Sequence, residues 1–180
     1  MRDRLTVSLS TLLFVASQAN LLIMLAPLHP SIFSLQLAFT PDAFWHVVDL
    51  WGASGLAVYR AHFRFDNLHP FIYGAFGFLL VSKTALFSDM RPWSYRLIRL
   101  LLPIAGLFDL IENTAHIYLL AHARGFQSAI VPLSGTCSLL KWVLASLFAS
   151  LVTIQVFRRL WAIPSFRQAL HLKPRKAGVN

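Results

Sequence analysis

Residues 97–121 read LIRLLLPIAGLFDLIENTAHIYLLA, and two features of this stretch decide how the chain folds. It is apolar over more than the ~20 residues that a helix needs to cross a hydrocarbon layer. Inside it, Asp109, Glu112, Asn113 and His116 stand at i, i+3, i+4 and i+7. At about 100° per residue these four share one stripe of a helix. A charge at the centre of a span costs about 2.5–3.5 kcal/mol, whereas each Leu, Ile or Phe returns only about 0.3–0.6. The stripe therefore has to face other helices and not lipid. Ala105 and Gly106, just below it, let a neighbouring helix come close.

The remainder of the chain fits the same setting. Of its 180 residues, 57% are hydrophobic and 13% charged, with a mean hydropathy of +0.61. A water-soluble domain of this size needs more surface charge, and a single cysteine, Cys137, rules out a disulfide scaffold. Apolar runs at 5–26, 70–87 and 129–157 join 97–121 as four expected spans. The first also fits a secretory signal, with Arg2 and Arg4 ahead of it and Ser17-Gln18-Ala19 as a cleavage site. It stays apolar through Ala26, however, which favours a retained helix. The expected fold is all-α: a polytopic integral membrane four-helix bundle in one domain, residues 1–180, with an additional interfacial amphipathic helix on the outer side.

That extra helix is placed at 41–64, because the segment between the first two spans is too long for a bare loop. Thr40-Pro41-Asp42 has the form of a helix start: a hydroxyl cap, proline at the first position and an acid in the first turn. Phe44, Trp45, Val47, Val48 and Trp51 then interleave with His46 and Asp49, as in a helix lying in the interface plane. Gly52 and Gly55 loosen it; from Leu56 a helical pattern resumes toward the second span, and Pro70 is expected to kink that helix and not to end it.

Sixteen Lys and Arg against seven Asp and Glu give a formal charge of +9. The cations crowd the ends of the apolar runs, and no zinc-finger spacing or aromatic-basic RNA motif accompanies them, so they are assigned to anionic lipid and not to nucleic acid. With both termini on one side, that side holds Arg2, Arg4, Lys83, Arg91, Arg96, Arg99 and the six cations after Phe157, including those of a basic tail at 158–180. The other side holds Arg60, Arg64 and Arg124. This distribution makes the chain multi-pass with both ends cytoplasmic. His29, His46, His62, His69, His116 and His122 all fall in the outer half.

Two more polar stripes match the first. Tyr59, His62, Asp66, His69 and Tyr73 follow spacings of three and four, and Ser134, Ser138 and Lys141 lie at i, i+4 and i+7. Together they predict one polar pocket open to the outer leaflet, with Asp66 and His69 at the water boundary and Glu112 and His116 a turn deeper. Three uses of such a pocket are open. In a structural one, Lys141 neutralises Asp109 or Glu112 while Asn113 and the hydroxyls bond across helices. In a membrane-embedded enzyme acting on a lipid or isoprenoid, Glu112, His116, Asp109, Asp66 and His69 are the catalytic candidates, and Asn113, Tyr73 and Lys141 bind substrate. The cofactor there is unknown; His62, Asp66, His69, Glu112 and His116 are of the types that ligate a divalent metal, although no HExxH or repeated ExxH motif is present. In the third, the chain is an accessory subunit of a larger complex, holding a pigment or haem by a histidine. Expected partners are membrane lipids, other membrane proteins or further copies of the chain. Cys137 is read as a packing residue, and Trp45, Trp51, Trp93, Tyr95 and Trp161 as interfacial anchors.

Asp66-Asn67-Leu68-His69-Pro70, taken with Pro103 and Asp109-Leu110-Ile111-Glu112-Asn113, resembles the pattern of a group of small, uncharacterised four-span membrane proteins of bacteria and fungi. In that group an Asp precedes a Pro at the second span, and a Pro is followed by Asp-x-x-Glu-Asn in the third. The resemblance covers residues 40 to 120 and implies a four-span fold with a role for the D-x-x-E-N stripe. It carries no activity. His116 departs from the group, which has large aliphatic residues after Glu-Asn.

Overall fold

The computed structural model describes residues 2–122, 124 and 129–162; the basic tail from residue 163 onward lies outside the described residues. Six α-helices make up the fold, and no strand occurs among the described residues: α1 (Arg2–Leu25), α2 (Ile32–Gln36), α3 (Pro41–Asp66), α4 (His69–Lys83), α5 (Pro92–Ala121) and α6 (Ile130–Trp161). A 3-10 turn, Ala85–Phe87, joins α4 to α5. Two helices, α1 and α6, are long and apolar enough to cross a membrane by length and composition.

The start of α3 is as its sequence dictates. Pro41 occupies the first turn, and the Thr40 hydroxyl accepts a hydrogen bond from the Ala43 amide at 3.3 Å. The helix is then broken at Gly52, whose φ of 61° and ψ of −166° belong to a region that only glycine enters freely. Residues 41–51 turn across one end of the bundle, where Phe44, Val48 and Trp51 pack with Leu28, Leu35 and Leu119. Trp51 is thus a core residue, and its indole nitrogen donates to the Pro30 carbonyl at 2.6 Å.

Residues 53–66 and α4 run in line along α5. Asn67 and Leu68 keep near-helical dihedrals, and the Asn67 amide still reaches the Phe63 carbonyl, so the chain bends here without ending its course. Tyr59 meets His116, Pro70 meets Gly106, and Gly77 meets Leu102, an antiparallel register that passes straight through the bend. A Cβ on Gly77 would lie 2.7 Å from the Leu102 side chain, and one on Gly106 would lie 3.0 Å from the Pro70 carbonyl oxygen. These glycines let α4 and α5 approach closely.

The side-chain distribution is inside out. Leu5, Leu12, Leu22 and Ile23 of α1 are exposed, as are Leu107, Val143 and Phe157 on the longer helices. His62, Asp66, His69, Asp109, Glu112, Asn113, His116 and Lys141 are buried. Among the described residues the apolar core falls into two clusters, one under residues 41–51 and one around Tyr73, Leu102 and Phe148. The polar residues connect the helices between these clusters.

Candidate functional site: a buried ionic seam

Lys141 of α6 is the hub of the site. Its ammonium lies 2.9 Å from Asp109 Oδ1 and 2.6 Å from Glu112 Oε2, so one lysine holds two carboxylates presented a turn apart by α5. The Tyr73 hydroxyl of α4 donates to the other Asp109 oxygen at 3.1 Å. Three helices are therefore joined through Asp109. Ser134 and Ser138, on the Lys141 face of α6, donate to the Val131 and Ser134 carbonyls within α6, and the Ser138 hydroxyl also lies within hydrogen-bonding reach of Glu112 on α5.

A second group lies above the first. Tyr59 Oη and His116 Nδ1 share a hydrogen bond of 2.7 Å, and the Phe44 ring sits 5.3 Å from the His116 ring. His116 is fully buried, and its Nε2 has no hydrogen-bond partner. His62 donates from Nδ1 to the Tyr59 carbonyl, leaving Nε2 at 3.4 Å from Asp66 Oδ2. That contact is an ion pair when the imidazole carries both protons. Asn113 faces Asp66 from α5.

His69 touches the first group only through its ring, 5.1 Å from that of Tyr73, and uses its nitrogens elsewhere. Its Nδ1 accepts from the Ser17 hydroxyl at 2.8 Å, and its Nε2 donates to Gln18 Oε1 at 3.2 Å, so both ring nitrogens are taken by α1. Ser17 and Gln18, read in the sequence as part of a cleavage site, are its partners. The sign in the sequence was two adjacent polar residues inside an otherwise apolar run.

The depth order differs from the expected one. Tyr59 lies level with His116, but Pro70, next to His69, lies level with Gly106. His69 is accordingly on the far side of Glu112 from residues 41–51, and it does not stand above Glu112 and His116 at a water boundary. The physical cause is the in-line course of residues 53–66 and α4, which carries the Tyr59-to-Tyr73 stripe down the whole length of the α5 stripe.

Nor does the metal expectation find a ligand set. Among the described residues, no three His, Cys, Asp or Glu side chains are grouped so as to hold a metal ion. His69 is turned to α1, and Glu112 is turned to Lys141. Cys137 is buried as a packing residue.

Cavities lie at two places away from the seam. One, about 170 Å³, is beside the Gly52 break and is lined by Leu28, Trp51, Gly55 and Val58. The other, about 430 Å³, is an outward-facing groove between α4 and α5. Over the seam, residues 41–51 are fastened by Arg124, whose guanidinium donates twice to Asp49, once at 2.9 Å, and lies 4.7 Å from the Trp45 ring. The hydrogen bond from Arg124 holds the Asp49 carboxyl below its ordinary value.

Comparison of the chain with protein-family models, with curated proteins and with solved structures finds no match.

Proposed function

We propose that this chain is a four-span integral membrane protein with both termini in the cytoplasm, and that its ionic seam locks the helices of a structural or accessory membrane subunit. The spans are α1, the broken helix of residues 53–83, α5 and α6, with residues 41–51 lying in the outer interface. Fifteen residues of α4 reach only ~22 Å at 1.5 Å per residue, short of a hydrocarbon layer of ~30 Å. Residues 53–66, in line above it, make up the length. The inside-out placement of apolar and ionic side chains supports the membrane reading, and the cation count at the two ends supports the orientation.

The observation that carries the structural role is the double pairing of Lys141. Asp109, Glu112 and Lys141, near the middle of the bundle, are engaged with one another. Such pairs fix which helix faces which.

A second reading is favoured by a different observation. Asp66, Asp109 and Glu112 outnumber Lys141, a larger ionic set than a lock requires, and His116 Nε2 is left without a partner below the hinged segment 41–51. In this reading Glu112 and His116 form an acid–base pair acting on a lipid that enters when 41–51 lifts. One comparison separates the two readings: the lipid composition of membranes from cells expressing the parent, Glu112→Gln or His116→Ala. The structural role expects all three to leave the same lipids, with any loss in the variants confined to folded yield, because each removes a buried partner. A lipid change produced by the parent and lost in both folded variants would overturn it in favour of catalysis.

A further inference from the structure

The groove between α4 and α5 has the two-part character of a phospholipid. Its walls are apolar: Phe71 and Leu107 form the rims, 63% and 61% exposed, and Gly74, Pro103 and Gly106 make a floor where the helices nearly touch. At about 430 Å³ it falls in the range of about 300–1,000 Å³ that ligand sites occupy. The end toward Lys83 is different. There the Arg99 guanidinium sits 5.1 Å from the ring of Phe78, a groove residue. Arg99 is four residues before Pro103 and seven before Gly106, so it shares their face of α5.

Two polar atoms at this end are buried and have no hydrogen-bond partner: Arg99 Nε, and the hydroxyl oxygen of Ser82, one turn beyond Phe78 on α4. Arg96, one turn beyond Arg99 on α5, is exposed. Two other cations at the same end are paired within the chain, Lys83 with Asp3 at 3.0 Å and Arg159 with Asp89 at 3.0 Å. Guanidinium N–H groups suit phosphate oxygens, and no carboxylate pairs with Arg99 among the ion pairs of the described residues.

We propose that this groove binds an acidic phospholipid of the cytoplasmic leaflet, with one acyl chain along Phe71, Gly74 and Pro103 and its phosphate on Arg99, assisted by Arg96. The inference rests on the four-span reading, which places the groove against lipid and Arg99 toward the headgroups. A partner helix would fit the small-residue floor but would make no use of the positive charge of Arg99 and Arg96 at its end, so the acidic lipid is the occupant the site matches.

The test uses the full chain reconstituted in vesicles of phosphatidylcholine alone or mixed with phosphatidylglycerol, followed by gentle extraction and native mass spectrometry of retained lipid. The parent should retain phosphatidylglycerol over phosphatidylcholine. Arg99→Gln should lose roughly fivefold of that preference, the effect of about 1 kcal/mol per cation near an acidic lipid. Arg99→Lys should keep most of it, and Arg91→Gln, outside the groove, should change nothing. Leu107→Trp, which narrows the groove, should lower retention of both lipids. Equal retention of the two lipids by parent and Arg99→Gln overturns the proposal, as does efficient dimer cross-linking through Leu107→Cys, which would assign the groove to a second copy. Alkaline extraction of the same vesicles tests the spans independently: a parent stripped off by alkali fails the four-span reading whatever lipid it carries.

Discussion

Lys141 and Asp109, thirty-two positions apart in sequence, are joined at 2.9 Å in the interior of the helix bundle. Such a pair is asymmetric in its energetics. Forming it from two solvated ions returns little net stability, but removing one member strands the other in a medium that cannot solvate it.

Lys141→Met should therefore destabilise the folded protein in detergent by about 3–5 kcal/mol, because both Asp109 and Glu112 lose their cation. Adding Asp109→Asn and Glu112→Gln should recover most of the loss. Thermal or denaturant unfolding of the single and triple variants checks this. A Lys141→Met protein as stable as the parent would mean that the two acids do not depend on the lysine.

Gly52 and Gly77 predict equal sensitivity to alanine for different reasons. At Gly52 a Cβ meets nothing within 4 Å, but φ is 61° with ψ at −166°, so Gly52→Ala should cost about 1–3 kcal/mol in backbone strain. At Gly77 the backbone is ordinary and the Cβ runs into Leu102 at 2.7–2.9 Å, so Gly77→Ala should cost about 1–3 kcal/mol by overpacking. Because the Cβ of Leu102 is itself 2.8 Å away, Leu102→Gly, which removes it, should relieve Gly77→Ala in a double-mutant cycle where Leu102→Ala does not, and neither should affect Gly52→Ala.

Much of this was legible in the residues. The spacing of Asp109, Glu112, Asn113 and His116 placed them on one buried face, and the Thr40-Pro41 cap placed the start of α3, because both depend on contacts within one helix. Lys141 was matched to the acids by charge alone, since it is the only cation within its run. What the sequence hid were relations between helices. The pattern resuming from Leu56 and the Tyr59-to-Tyr73 stripe already carried a helix through Pro70, but nothing local fixed its register against α5, so His69 was placed at the wrong depth. The bonds of Ser17 and Gln18 to His69 were hidden for the same reason: α1 shows its polar residues, but its partner is fixed only by packing.

The orientation can be read with reporters. Fusions at Arg91 and after Asn180 should report the cytoplasm, and one near Arg124 the opposite side, because cations near span ends are retained on the cytoplasmic face. An external C-terminal reporter would invert every assignment of sides, including the leaflet of the Arg99 groove.

Low pH should loosen residues 41–51. Asp49 is exposed and pairs with Arg124, which together with the Trp45 contact fastens this segment over His116. The hydrogen bond from Arg124 lowers the carboxyl of Asp49 from its ordinary 3.8. A group whose folded value is depressed contributes its stabilisation fully above the unfolded value and loses it as pH falls through the folded one. The fastening should thus be intact at neutrality and down to ~3.8, and be released below that. Hydrogen exchange of the 41–51 amides, corrected for intrinsic rates, should show protection falling in this acid window for the parent, while Asp49→Asn should be less protected at neutral pH and lack the transition. Because Asp49 is at the surface, high salt should reproduce part of the effect at neutral pH by screening the pair. Identical pH profiles for parent and Asp49→Asn would show that Phe44, Val48 and Trp51 hold the segment by apolar packing alone.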